Sequence, residues 1–472
     1  MENINKVLGD TVKKSIKIAY IGGGSKQWAR TFMSDLAISE GLDGEVWLYD
    51  IDKVSAERNK KIGDLIAKNP QSIAKFKYIV AEKLADALTG ATFVIISILP
   101  GTFEQMRSDV HAPEKYGIYQ SVGDTVGPGG ILRAMRTVPI YEDFARAIEK
   151  HCPQAWVLNL TNPMSICTKT LYDIFPKIKA FGCCHEIFHT QELLVIALRD
   201  ILGINAEREK IYTDACGINH FTWITHARYQ DIDLLEVLPK FIDKYCEEGY
   251  FEQKGFDRFA FKTNPFAYGN KLKFNLFRKY GVLPAAGDRH LAEFFNNTWF
   301  LKDLDTVKEW QFNCTTVDYR INQMNELICE TIEMSEGKKA FPIKKSDEEC
   351  VALLKAILGF EKIVSNVNLP NRGQMLDLPL GAVVETNCVF TNDSVEPVVS
   401  RPLPSEVNNL VLRNCINIET TYEGIKARDL DKIFHAFVNQ PLCSTLSLDN
   451  ARNLFNQMVS NTKEYLKPYF VL

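Results

Sequence analysis

Short apolar runs, each closed by a turn residue, set the rhythm of the first 220 positions. The run at 17–22 ends in Gly22-Gly23-Gly24-Ser25 and predicts a buried parallel strand feeding a tight turn, with helical periodicity over 28–38. A second strand over 45–49 ends on Asp50, a helix follows over 53–67, and a strand over 93–98 stops at Pro100-Gly101. Residues 141–150 read as an amphipathic helix and 156–160 as a strand entering Thr161-Asn162-Pro163. An apolar stretch at 178–183 ends at Cys184-His185, a helix is expected over 190–202, and a strand over 212–216 leads into Gly217-Ile218-Asn219-His220. This alternation predicts an α/β fold, a Rossmann-like, doubly wound and mostly parallel sheet. Beyond about Asp231 the pattern mixes long helices with loops and shows no second set of βαβ units. The expected organisation is a nucleotide-binding domain over 1–190 and a closely packed α+β catalytic and oligomerisation domain over 191–472, with a soft border. No repeat, low-complexity tract or Gly/Ser linker separates them.

Composition narrows the function by exclusion. Lys+Arg 55 against Asp+Glu 59, a formal charge of −4 and a pI near 6.1 give no nucleic-acid footprint and no attraction to anionic membranes. Residues 1–14 lack an apolar leader core, and no run approaches a membrane span. The twelve cysteines are scattered, with an adjacent pair at Cys183-Cys184, unlike the framework of a small secreted domain. The expectation is a cytoplasmic enzyme with reduced thiols.

The Gly22-x-Gly24 turn after a buried strand suits the close approach of a pyrophosphate at a helix N-terminus, with Gly23 and Ser25 in the same turn. The third glycine of the usual fingerprint is replaced by Gln27. Asp50, or Asp52 beside it, is placed to bind ribose hydroxyls, and acid there disfavours a 2′-phosphate. NAD is therefore the expected nucleotide. Polar groups follow the later strands at Asn162, Cys184, His185 and His220, and a thiolate with an imidazole suits a divalent transition metal. Taken alone, Cys184 reads first as a buried core thiol and His220 as a hydrogen-bonded core histidine.

Five ordered strings carry more than any one of them. Val122-Gly-Asp124-Thr-Val-Gly-Pro-Gly-Gly130, Thr161-Asn162-Pro163, Gly182-Cys-Cys184-His185, Gly217-Ile-Asn-His220-Phe-Thr-Trp223 and Ala286-Gly-Asp288-Arg-His290 resemble glycoside hydrolase family 4, most of all its α-galacturonidases. The resemblance extends to Asn368-Leu-Pro370-Asn371-Arg-Gly373-Gln374. It implies an NAD- and Mn²⁺- (or other divalent-metal-) dependent glycosidase, one of the exceptions to two-carboxylate glycoside hydrolysis. In that chemistry the carbon-3 hydroxyl is oxidised by hydride transfer, a base removes the acidified carbon-2 proton, the aglycone leaves, water adds and the hydride returns.

Residue by residue, the resemblance implies Cys184 and His220 as metal ligands, His185 as proton donor and Asp288 as proton acceptor. It implies Asp124 and Asn162 as substrate contacts. His185 alternatively supports the metal, Asp288 alternatively is a turn residue after Gly287, and His189 and His290 read as structural. Cys183 is expected to face the core. Arg133, Arg136 and Arg289 lie within the motif regions and can match a uronate carboxylate by paired hydrogen bonds, or else pair with Asp124 or Asp288; Arg372 is weaker. The implied partner is an α-uronide or small oligosaccharide, and the implied assembly is a homodimer or homotetramer. Rival readings are an NAD-dependent dehydrogenase of the lactate/malate type, a silent NAD-binding regulator, and the same mechanism with α-glucuronidase or α-galactosidase specificity.

Overall fold

The computed structural model describes residues 13–251 and 259–471. The expectation for residues 1–14 falls almost wholly outside them. Six parallel strands form the first half of one sheet: β1 (Lys14–Ile21), β2 (Leu42–Tyr49), β3 (Lys75–Val80), β4 (Phe93–Ile96), β5 (Trp156–Asn159) and β6 (Lys179–Cys183), in the order β3-β2-β1-β4-β5-β6. This is the doubly wound order of a dinucleotide-binding sheet. Side chains divide between the two faces with the strand period of two. In β1, Ile16, Ile18 and Tyr20 enter the core beneath helices Trp28–Ala37 and Lys53–Lys68, while Ala19 and Ile21 enter the core on the other face.

Beyond β6 the expected strand over 212–216 is present as the first of seven among the described residues, and the others go beyond the expectation of helices and loops after about Asp231. The second half of the chain supplies β7 (Tyr212–Ile218), β8 (Phe221–Tyr229), β9 (Ile232–Asp233), β10 (Leu283–Pro284), β11 (Ile363–Pro370), β12 (Val383–Thr391) and β13 (Ser394–Pro397), and these continue the same sheet. β11 lies antiparallel on β6, with Val367 opposite Cys183 and Asn368 opposite Gly182, and β12, β7, β8 and β10 follow in order. β11 and β12 were hard to read because they bury polar side chains. Ser365, Asn366 and Asn368 in β11 and Glu385, Thr386 and Asn387 in β12 interrupt the apolar pattern.

The helix Gly127–His151 was also longer than its expected span of 141–150. Its first turn holds Gly127, Pro128, Gly129 and Gly130, and Pro139 lies inside it, so turn-forming residues masked its start. Proline is tolerated in the first turn because that N–H has no helical partner. The helix bridges two cores. Ile131, Leu132, Met135 and Val138 pack with the C-terminal helices, whereas Tyr141, Phe144, Ala145 and Ile148 pack against the parallel sheet. All twelve cysteines are free thiols. No helix among the described residues is long and apolar enough to cross a membrane.

Candidate active site

The Gly22–Ser25 turn is built for close passage of backbone. Gly22 has φ +92°, and a Cβ there would lie 1.9 Å from the Ser97 carbonyl oxygen at the end of β4. The Gly22 and Gly23 amides donate to the Tyr49 carbonyl at 2.9 and 3.0 Å, joining the ends of β1 and β2. Asp50 accepts from the Gly24 amide and the Asp52 amide, both at 2.8 Å, so it braces the turn beside any ribose it meets. Asp52 differs from the expectation: its carboxylate caps helix Lys53–Lys68 by accepting from the Ser55 amide, and it faces Lys26 at 3.6 Å.

Across the crevice, the end of β6 delivers Cys184, His185 and Glu186. Cys184 is buried, and burial first, then the carboxylates of Glu385 and Glu186, push its thiol well above the usual range. A cation beside it would reverse that balance. Cys183 lies opposite Val367 and packs against the core under the sheet, as the strand period requires. His185 sits within 3.8 Å of Glu186 and 3.7 Å of Glu348, with its ring 5.6 Å from Trp28 at the start of the first helix.

Glu186 was not anticipated. Burial would raise it, but His290, His185, His189 and His220 outweigh burial and hold it well below the usual carboxylate range. It also accepts the Gly287 amide at 2.6 Å. Its position directly after Cys184-His185 was the available signal.

His220 occupies the turn between β7 and β8 with φ 63°, a left-handed conformation uncommon for histidine. Its Nδ1 and the Thr125 hydroxyl are 2.9 Å apart, and its ring lies 3.9 Å from that of His290. Burial lowers the pKa of both histidines and so favours the unprotonated ring that a metal ligand needs. Asp124, His220 and His290 bring ligand atoms within 4.8 Å of one another, and His185, Glu186 and His189 form a second such group. Among the described residues Cys184 belongs to neither group. It meets His220 through the adjacent Asn219, which hydrogen-bonds the thiol. Of the expected pair, His220 thus lies in a group of possible ligands with Asp124 and His290, and Cys184 lies outside it.

Asp124 lies on the segment Ser121–Thr125, which is pinned from below. Glu293 accepts the Val122 and Gly123 amides at 2.7 and 2.9 Å, and Ser121 and Thr125 complete the anchorage. Burial would push Asp124 up, but Arg133, His290, His220 and Arg320 outweigh it and hold the carboxyl below its ordinary range. Asn162 leaves its side-chain oxygen buried without a hydrogen-bond partner, while its carbonyl accepts from Arg133 Nε at 2.9 Å.

Two expected residues are placed differently by the structure. Arg136 is paired with Asp109 through Nη1 at 3.1 Å and Nη2 at 2.5 Å, with both side chains almost fully buried; it holds two helices together and is not available to a substrate. Asp288 has no exposed surface, and its two oxygens accept the Leu272 and Lys273 amides at 3.2 and 3.0 Å, capping helix Lys271–Tyr280 from outside the helix. Burial raises its carboxyl to about 6 against the pull of Lys273 and these amides. Tyr268 stands nearer open space. It lines a cavity of about 760 Å³ with His189, Phe266 and Asn270, and a Cβ on Gly287 would lie 2.8 Å from its hydroxyl.

Residues 17–200 match the model of the family 4 glycosyl hydrolases, and residues 215–443 match that of the family's C-terminal domain. An α-galacturonidase of Thermoanaerobacterium saccharolyticum is 53% identical over 452 residues, 96% of each chain. A solved Bacillus subtilis structure named as a glucosidase superposes with a TM-score of 0.88 at 44% identity, covering 94% of this chain and 99% of the other. A 6-phospho-α-glucosidase from gut microorganisms, solved with NAD and Mn²⁺, shares the fold at a TM-score of 0.78 and 20% identity, covering 96% and 99% of the two chains.

Proposed function

The chain belongs to family 4 of the glycosyl hydrolases, and on that premise we propose that it is an α-galacturonidase dependent on NAD⁺ and a divalent cation, Mn²⁺ foremost. The single observation that carries the reading is the 53% identity to an α-galacturonidase along 96% of both chains. The site supports it chemically. A carboxylate, imidazoles and a thiol converge beside a glycine turn at the carboxyl ends of parallel strands, where a doubly wound sheet receives its ligands.

The donor set fits a divalent transition metal, since imidazole and carboxylate ligands suit Mn²⁺ and a thiol adds affinity for softer ions. His220 and Cys184 would hold it, with His290 and Asp124 adjoining. The Gly22–Ser25 turn and Asp50 would hold the nucleotide, and the unpartnered Asn162 oxygen is suited to a ligand donor. When bound, the nicotinamide accepts and returns a hydride and the cation polarises the oxygens it meets. The protein's own residues do the rest. His185, flanked by Glu186 and Glu348, is the proton donor to the departing oxygen.

Removal of the carbon-2 proton belongs to Asp288 or to Tyr268. A carboxyl at about 6 has suitable basicity, but zero exposure favours Tyr268 as the group in contact. Asp288→Asn and Tyr268→Phe distinguish them through deuterium uptake at carbon 2 of the product in deuterated water. The variant that abolishes uptake while melting as wild type identifies the base.

The nucleotide-binding role of 1–190 and the catalytic role of 191–472 remain our reading of the division of labour, although Cys184 and His185 come from the former span. A homo-oligomer is also part of the proposal. Leu376 and Leu380 are 81% and 78% exposed on the loop after Asn371, beside exposed Val399, and light scattering of the purified protein measures the state directly. The activity itself is tested with nitrophenyl α-galacturonide, NAD⁺, Mn²⁺ and a reducing agent. Many turnovers per NAD⁺ without accumulating NADH are expected, whereas one NADH per bond cleaved would make the protein a dehydrogenase.

A further inference from the structure

A buried guanidinium normally faces a carboxylate, because leaving its charge unpaired costs several kcal/mol. Arg136 obeys the rule through Asp109. Buried Arg289 and half-buried Arg320 do not: among the described residues neither has a carboxylate oxygen within ion-pair distance. Arg289 is 8% exposed, its Nη1 donates to the Thr315 hydroxyl at 2.5 Å, and its guanidinium lies 4.7 Å from the centre of the Phe266 ring. Its Nε is buried without a hydrogen-bond partner, and among the described residues Nη2 makes no side-chain hydrogen bond. The edge formed by Nε and Nη2, the one that grips a carboxylate by two parallel hydrogen bonds, is thus uncommitted to any described residue.

Arg320 repeats the arrangement from a different element, the helix Val317–Ser335. Its Nη2 donates to the Val122 carbonyl at 3.2 Å, and its Nε is buried without a partner. Both arginines are anchored to the segment that carries Asp124: Arg320 through Val122, and Arg289 through its own carbonyl, which accepts from the Ser121 hydroxyl. Arg320 lies close enough to Asp124, Arg289, Arg133 and Glu293, and Arg289 to Glu186, Asp124 and Glu293, for their charges to interact. Asp124, Glu293 and Glu186 act on these guanidiniums from a distance, without an ion-pair contact among the described residues.

We propose that Arg320 and Arg289 together receive the carboxylate on carbon 6 of the bound uronate, and that Arg320 is the specificity determinant outside every sequence motif. This rests on the α-galacturonidase reading. Each side chain keeps donors uncommitted, and each is held at one end by a neutral oxygen that fixes its orientation without neutralising its charge. A neutral hexoside leaves both guanidiniums unpaired. The shared chemistry is an anion on carbon 6, and a 6-phosphorylated sugar is the other source of one.

The test compares kcat/KM for nitrophenyl α-galacturonide, α-galactoside and 6-phospho-α-galactoside in the NAD⁺- and Mn²⁺-loaded enzyme. Wild type is expected to prefer the uronide. Arg320→Met and Arg289→Met are each expected to narrow the uronide-to-galactoside ratio by about tenfold or more, mainly through KM, with Arg320→Lys recovering part of it. Titration of free galacturonate is expected to weaken in parallel, and the Lys variant keeps the question open to measurement if the Met variant melts early. A purely structural arginine lowers both substrates alike, and an unchanged ratio in a uronide-preferring enzyme overturns this inference while leaving the activity intact. Wild-type preference for the galactoside removes the α-galacturonidase reading and this inference with it. Preference for the 6-phospho sugar overturns the carboxylate assignment.

Discussion

At His220 chemistry and backbone make opposed demands. The turn needs a left-handed residue, at a cost of about 1 kcal/mol for most side chains, while the site needs an imidazole beside Thr125 and His290. Asparagine tolerates that conformation and alanine does not. His220→Asn is therefore expected to melt above His220→Ala, by roughly 1 kcal/mol of stability, while both lose Mn²⁺ affinity in calorimetric titration. Retained Mn²⁺ affinity in either variant removes His220 from the metal site. Glu293 makes a different prediction. Burial raises its carboxyl to about 7 from a usual 4.5, so the folded chain holds this proton more tightly than the unfolded chain. The associated stability is fully present below about 4.5 and is lost as pH rises through about 7. Glu293→Gln still accepts the Val122 and Gly123 amides with no charge to bury. Its Tm advantage over wild type, in chelator without nucleotide, is expected to be small at pH 5 and to widen by about 2–5 °C at pH 8. A constant gap across that range contradicts the assignment. The motifs exposed Cys184, His185 and His220 by type and order. They did not expose Arg320, which sits in a helix of ordinary composition and gains meaning only when Val317–Ser335 packs beside Val122.

Elements differ in how plainly they announce themselves. β4, β5 and the end of β1 were readable because both faces of a parallel sheet are apolar there, and β2 because Val46, Trp47, Leu48 and Tyr49 run up to Asp50. The N-terminal half of helix Gly127–His151 was not, because the residues that let it pack closely are those that usually mark turns. Gly130 shows the reason. A Cβ there would lie 2.6 Å from the Thr125 carbonyl carbon and 2.7 Å from its oxygen, and backbone cannot move aside. Gly130→Ala is expected to cost about 1–3 kcal/mol of stability and to lower Mn²⁺ affinity, since Thr125 carries the contact to His220. Normal melting and normal metal binding together contradict this coupling between helix and site.

On the scale of the whole molecule, the sheet crosses the border expected near residue 190. β11 pairs with β6, and the buried asparagines that concealed β11 from sequence reading lie beside the catalytic strand ends: Asn368, with Asn219, donates to Glu385. A fragment of residues 1–200 therefore exposes the flank of β6 and is expected to aggregate or remain partly unfolded, whereas the full chain melts in one transition. A soluble fragment with a cooperative melt of its own contradicts this.

That pairing also orders events during synthesis. β6 leaves the ribosome roughly 180 residues before β11, which at a translation speed of about 5–20 residues per second is on the order of 10–40 s. Throughout that interval the nascent chain carries an uncovered strand edge next to Cys184, so the seam beside the proposed metal ligand closes only after three quarters of the chain has been made.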